Sequence, residues 1–182
     1  MDPIKAWHTD HLYFQRLLTL LERQIDIFHG GERPSYELML DAVTYLREYS
    51  DALHHPREDV AFARLAERLP RLELPIARLR QEHRVIARAS DALLMQLSTI
   101  LDGAVVPRED VEMAAATYLV YYRSHIAKEE SDVLGEAGKA LTAEDWALVR
   151  NAVPNRPDPL FGAKPEERFR ELRRQIALES PI

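Results

Sequence analysis

The residues best placed to do chemistry are histidines and acids at helical spacing. His54 and Glu58 are four positions apart, and so are His125 and Glu129. On a helix this spacing puts both side chains on one face, about one turn apart, so an imidazole nitrogen and a carboxylate oxygen can grip one cation. The chain has 7 histidines and no cysteine. Disulfides, thiolate metal sites, iron–sulfur clusters and cysteine nucleophiles are therefore excluded. Any bound metal must rest on imidazole and carboxylate, a donor set that suits iron or manganese better than zinc.

Such donors act together only if the chain brings them to one level, and helix-period patterning dominates the sequence. Ile4, Trp7, His11, Phe14, Leu18, Leu21, Ile25 and Phe28 recur at steps of three and four, up to Gly30-Gly31. Ser35 is the expected N-cap of a second helix through Leu38, Ala42, Leu46, Tyr49 and Leu53, then Phe62, Leu65 and Leu69. A third seam runs Leu72, Ile76, Leu79, His83, Ile86, Ser90, Leu93, Leu97, Ile100 and stops at Asp102-Gly103. Pro107 opens a fourth, with Val111, Ala115, Tyr118, Tyr122, His125, Glu129 and Val133 along it. Short turns between long helices predict antiparallel neighbours, hence an all-α, up-down-up-down four-helix bundle over residues 1–136. Residues 137–182 read as a short helical extension, with a helix opened by Thr142, a proline-rich connector and a polar amphipathic helix from about Pro165.

The histidines interrupt these seams at matched depth. The distances from His11 to the end of its helix, from Ser35 to His54, from His83 to Asp102 and from Pro107 to His125 agree within a turn at about 1.5 Å per residue. One imidazole from each helix therefore reaches a common layer, together with Glu58 and Glu129. Buried and unpaired, these groups would cost several kcal/mol each. A dinuclear metal site removes that cost, because carboxylates bridging two cations satisfy all of them together. Four histidines and two acids also leave coordination positions open for dioxygen, peroxide or nitric oxide.

Several neighbours compete for a part. His8 lies one turn before His11, but the seam passes through His11. His55 adjoins His54, and its half-turn mismatch favours exposure over ligation. Glu130 competes with Glu129, and the four-residue spacing favours Glu129. His29, beside Gly30, complements a helix C-terminus and has no expected metal role. Glu82 or Asp51 could receive the second N–H of a bound imidazole. Tyr45, Tyr49, Tyr118, Tyr121 and Tyr122 lie within about two turns of the layer, as core or as hydrogen-bond donors to a bound oxidant. Pro56 deletes the backbone bond to Ala52 and should kink the second helix, re-aiming His54 and Glu58 together. The competing reading is a plain break at His55, which would separate them.

The ordered set His11, "HHPRED" (54–59), "EHRVI" (82–86) and "HIAKEE" (125–130) resembles the hemerythrin-like, HHE cation-binding family across the bundle. The resemblance implies two iron ions, Fe2+ or Fe3+ with an oxo or hydroxo bridge. His11, His54, His83 and His125 would be terminal ligands, with Glu58 and Glu129 bridging. The family's oxygen carriers have a second histidine one turn after the third-helix ligand, where this chain has Ala87. They also have an aspartate five positions after the fourth-helix histidine, where it has Glu130. The four-histidine, two-glutamate set looks more like the branch linked to iron or redox sensing and to nitrosative stress.

The expected function is thus binding or sensing of small oxidants or of iron. The alternatives are a peroxidase or nitric oxide reductase on the same centre, and a metal-independent or zinc-bound interaction module acting through the tail around Trp146. A net charge of −6 argues against a nucleic-acid surface. The longest apolar run, Met113–Tyr122, is about half a membrane span. A cytoplasmic protein with no membrane partner is expected, and a homodimer is left open.

Overall fold

The computed structural model of the chain describes residues 2–154 and 156–179; residues 180–182, the end of the expected extension, lie outside them. The described residues form helices and no strand. Helix α1 (Pro3–His29) begins where the Asp2 side chain accepts the Ile4 amide at 3.0 Å, and ends at Gly30. The next residue, Gly31, turns the chain with φ 84°, a left-handed conformation that glycine adopts without steric cost. Helix α2 (Tyr36–Tyr45) is capped by Ser35, as its sequence indicates.

Beyond Tyr45 the helix widens. Leu46–His54 is π-helical, and α3 (His55–Arg68) continues from it with helical backbone angles at His54 and His55. The His55 amide bonds back to the Ser50 carbonyl, five residues earlier. The reading of a plain break at His55 therefore needs correction: the helix runs on through Pro56, because the wider turn accommodates a residue whose missing N–H and ring would disrupt an ordinary α-turn. It also accounts for the phase shift of the apolar stripe across Pro56: the inward positions run Leu46, Ser50, then Leu53 to His55 together, then Glu58 and Phe62.

A 3-10 turn (Pro70–Leu72) leads into α4 (Glu73–Leu101). Gly103, at φ 85°, redirects the chain toward α5 (Arg108–Lys128). A second π-helical turn, Glu129–Val133, starts at a candidate ligand and runs into α6 (Leu134–Ala140). Helix α7 (Ala143–Asn151) is opened by a capping box between Thr142 and Asp145. A 3-10 turn (Glu167–Phe169) precedes α8 (Arg170–Glu179).

The long helices lie side by side, α1 against α2 and α5, and α4 against α2, α3 and α5. Their apolar faces bury two clusters. One holds Phe14, Leu18, Leu21, Tyr45, Leu97, Tyr118 and Tyr122, joined from the extension by Leu160, Phe169, Leu172 and Ile176. The other holds Trp7, Phe62, Leu65, Ile76, Leu79 and Val133, joined by Leu141, Trp146 and Val149. Truncating a side chain such as Phe14 or Phe62 to alanine would cost about 3–5 kcal/mol through lost burial and a residual cavity. Between these two oily regions lies a polar layer. His54 meets Phe14 of one cluster and Trp7 of the other, while His83 faces Phe62 and His55 faces Tyr122.

Candidate metal centre

His11 comes from α1, His54 from the end of the π-helical segment, His83 from α4 and His125 from α5. All four are buried, and all four turn Nε2 inward. His11 Nε2 is 3.1 Å from His54 Nε2. The two glutamates span the layer. One oxygen of Glu58 lies 3.0 Å from His54 Nε2 and 3.5 Å from His11 Nε2, and the other lies 3.6 Å from His83 Nε2. Glu129 mirrors it, with Oε1 at 3.2 Å from His125 Nε2 and 3.5 Å from His83 Nε2, and Oε2 at 3.4 Å from His11 Nε2. Both His-x-x-x-Glu pairs thus share a face, and each carboxylate reaches nitrogens on both sides of the layer.

The outer nitrogens follow a cyclic pattern. Asp10 of α1 holds His54 Nδ1 at 3.0 Å, and Asp59 of α3 holds His83 Nδ1 at 3.0 Å. Glu82 of α4 holds His125 Nδ1 at 3.2 Å, and Glu130, beyond α5, holds His11 Nδ1 at 2.7 Å. Each acid adjoins an inner candidate ligand in sequence, about 100° further round its helix, so it faces the neighbouring helix instead of the interior. A carboxylate on Nδ1 fixes the tautomer that leaves Nε2 free for a cation and raises its basicity. Of these acids, sequence reasoning singled out Glu82, took Glu130 as a rival of Glu129, and missed Asp10 and Asp59. The usable signal was the run of doublets: Asp10-His11, Glu58-Asp59, Glu82-His83 and Glu129-Glu130.

The layer fits a cation. Glu58 and Glu129 are fully buried, and none of their four carboxylate oxygens has a hydrogen bond; His83 Nε2 and His125 Nε2 are likewise without one. Without a cation, the rings themselves must hold the compensating charge. Burial alone would lower the pKa of His11, but Glu130, Glu58 and Glu129 outweigh it and raise it to about 10. His125 rises to about 10 in the same way against burial, through Glu129 and Glu82, and His54 to about 9 through Glu58 and Asp10. Burial and the Glu58 charge push Glu129 up, yet His125 and His83 bring it down to about 2. The same nitrogens and oxygens that exchange protons here are the ones a divalent ion would take. Two sets bring their donor atoms within 4.8 Å of one another: His11, His54 and Glu58, and His55, Glu58, His83 and His125.

The place of His55 overturns the expectation of exposure: it is 4% exposed. The π-helical segment ends at His54 and His55, and its wider turn lets two consecutive residues face inward. Its ring stacks on His83 at 4.2 Å and 8°. Burial, then the charges of His83 and His125, hold it well below the usual histidine pKa, so it is neutral. Ser50 Oγ lies 3.2 Å from its Nε2 and accepts a hydrogen bond from the Tyr122 hydroxyl. Asp51 Oδ1 stands 3.3 Å from its Nδ1. Asp51 thus lies beside His55 and not beside the four inner rings. Of the tyrosines, Tyr122 reaches the layer through Ser50, Tyr118 packs edge-on against Tyr122, and Tyr45 donates to Asp158. Tyr49 stacks on Tyr45, and Tyr121 is exposed. His8 is exposed and bonded to Glu130, while His29 lies at the end of α1, near Glu112.

No curated protein matches the chain, and no solved structure does. The model of the hemerythrin HHE cation binding domain matches residues 2–137, a stretch that contains all six inner residues and all four outer acids. With that match covering most of its length, the chain belongs to the hemerythrin HHE cation-binding domain family.

Proposed function

We propose that the chain is a di-iron protein of an up-down-up-down four-helix bundle, with His11, His54, Glu58, His83, His125 and Glu129 as metal ligands. The observation that carries this reading is the pair of fully buried glutamates whose four oxygens lack protein donors while each spans histidines on both sides of the layer. Bridging carboxylates satisfy that geometry. His11 and His54 would serve one ion and His83 and His125 the other. His55 borders the second ion and can add a donor only by giving up Ser50.

The bound ions would supply redox chemistry toward dioxygen, peroxide or nitric oxide at their open positions. The protein's part is to keep each Nε2 deprotonated and aimed, through Asp10, Asp59, Glu82 and Glu130. It also excludes bulk water with Phe14, Phe62 and Trp7. The test is metal analysis of freshly purified protein, with visible spectra under air and under reductant. About two irons per chain and an oxidant-sensitive absorption band are expected. Iron-free protein that keeps its full helicity and stability after chelation would instead support a metal-independent interaction module. Turnover of peroxide or nitric oxide with an added electron donor would make it an enzyme.

A further inference from the structure

The two longest stretches of the chain without a charged residue are 92–101 and 113–122. The first lies in α4 and the second in α5. These helices run antiparallel: His83 meets His125 at one end of the pair, while Ala92 and Gln96 line a groove with Met113 and Thr117 further along. The uncharged stretches therefore lie side by side. Each buries one side, as Leu93, Leu97, Tyr118 and Tyr122 show, and exposes the other. Met95 (66% exposed), Met113 (67%), Val120 (66%) and Tyr121 (44%) stand out on a common face, with Ala92, Ala116 and Thr117 exposed between them. Apolar residues exposed singly need no explanation, but a contiguous patch marks an interaction surface. Over α1 and α2 the extension gives cover, since α8 packs on both. Among the described residues nothing covers α4 and α5 in this way.

We infer that this face binds a second copy of the chain, with α5 lying antiparallel on its counterpart across a two-fold axis. Charge selects that partner. At the end near His83 the apolar face is bounded by exposed Arg84 and Arg88 of α4, and at the other end by exposed Glu109 and Asp110 of α5. Among the described residues none of the four forms an ion pair within the chain, and Arg84 bonds only Gln81. A two-fold axis that crosses the helices brings the acids of each copy to the level of the arginines of the other, at both ends of the contact. An axis running along the helices would set acid on acid. The face is thus complementary to itself, as an isologous contact requires. Shape agrees with charge. Met95 and Met113 project beside a groove of about 270 Å3 lined by Ala89, Ala92, Ala114 and Thr117, so flexible knobs face a hollow of small side chains. Size agrees too. From Glu109 to Lys128 the face is about 30 Å long and two helices, about 20 Å, wide, which meets the lower end of specific interfaces at about 600 Å2 per partner. No candidate metal ligand lies on this face, so the assembly is independent of the di-iron reading.

The experiment is sedimentation equilibrium of the full chain, iron-loaded and metal-free, with circular dichroism and metal content measured on the same samples. A monomer–dimer equilibrium with Kd of about 10 μM or below is expected. Val120→Glu should raise Kd about 100-fold or more, with helicity and bound metal unchanged. Arg88→Glu should weaken the dimer about tenfold by facing Asp110 of the second copy with a like charge. Adding Asp110→Arg to Arg88→Glu should recover most of that loss, which a general effect on folding would not do. A wild-type chain that stays monomeric up to about 100 μM would overturn the second copy as occupant and leave the face to a different protein. A dimer that Val120→Glu leaves intact would overturn the face itself, and no recovery in the charge-swapped double variant would overturn the antiparallel two-fold.

Discussion

Helix α3 serves two buried carboxylates that are stabilised in opposite ways. Near its start, Glu58 lies among four imidazoles with no hydrogen-bond donor on either oxygen. Near its end, Arg64 and Arg68 reach Asp145 of α7, which is 1% exposed and fully engaged. Asp145 accepts the Thr142 amide and hydroxyl at 2.9 Å each, Arg64 Nε at 3.0 Å and Arg68 Nε at 2.8 Å. The Thr142 amide and then the two guanidiniums hold its pKa well below the ordinary range. A buried acid requires compensation either from protein donors or from a cation. Asp145 has the first and acts as a staple between α3 and the extension. Glu58 and Glu129 are balanced only by protons on the surrounding rings, which a cation can replace.

The largest effects should fall on the uncompensated acids and their histidines. His54→Ala and His125→Ala are each expected to lower metal affinity by more than about 100-fold, beyond the usual effect of losing a supporting acid; two bound equivalents in both variants would defeat the ligand set. His55→Ala should keep two equivalents, since its ring nitrogens face Ser50 and Asp51. Next come the outer acids. Asp10→Asn or Asp59→Asn should weaken metal binding about 10–100-fold with helicity unchanged, measured by competition with a chelator. An affinity equal to wild type would reduce the cyclic pattern to incidental surface pairing.

A pH titration compares the same layer with and without its cations. In metal-free protein His11, His54 and His125 have folded values of about 9 to 10 against 6.5 for the free side chain. Raised values contribute stability that is complete below pH 6.5 and lost as pH climbs through 9 to 10. Glu129, lowered from 4.5 to about 2, contributes above pH 4.5 and loses that contribution as pH falls through about 2. The metal-free fold should therefore be most resistant to denaturant between about pH 4.5 and 6.5 and weaken toward pH 10. Metal affinity should run the other way, because binding expels those protons. Parallel pH trends in the two forms would contradict the exchange of protons for ions. The smallest effect belongs to the staple. Thr142→Ala removes the cap of α7 at about 1 kcal/mol, a drop in Tm of about 2–4 °C, with metal content unchanged.

The six inner residues were legible in the sequence because His11, His83, His125 and Glu129 sit on apolar seams and His54 and Glu58 share the four-residue spacing, while the seam lengths fixed by Gly30-Gly31, Ser35, Asp102-Gly103 and Pro107 set their depth. Other features were not. The outer acids hold rings on adjacent helices, and one strand of text carries no record of which helix stands beside which. Asp10 and Glu130 gain their partners only through the packing of α1 against its neighbours. His55 was misplaced because periodicity assumes a constant turn, and the π-helical stretch before Pro56 changes the angle per residue where the ligands lie. The extension was expected only as a helical segment packed on or beside the bundle, and spacing did not single out Leu160, Phe169 and Ile176, which complete the core beside Tyr45 and Leu97.

By itself the sequence determined the helical class, the donor chemistry and the level at which the donors gather, since local periodicity, turn residues and the lack of cysteine depend on nothing distant. Tertiary structure alone decided which carboxylate supports which imidazole and that His55 lies inside. Those outcomes depend on rotations of a fraction of a turn and on contacts between helices far apart along the chain, and neither is encoded in residue spacing.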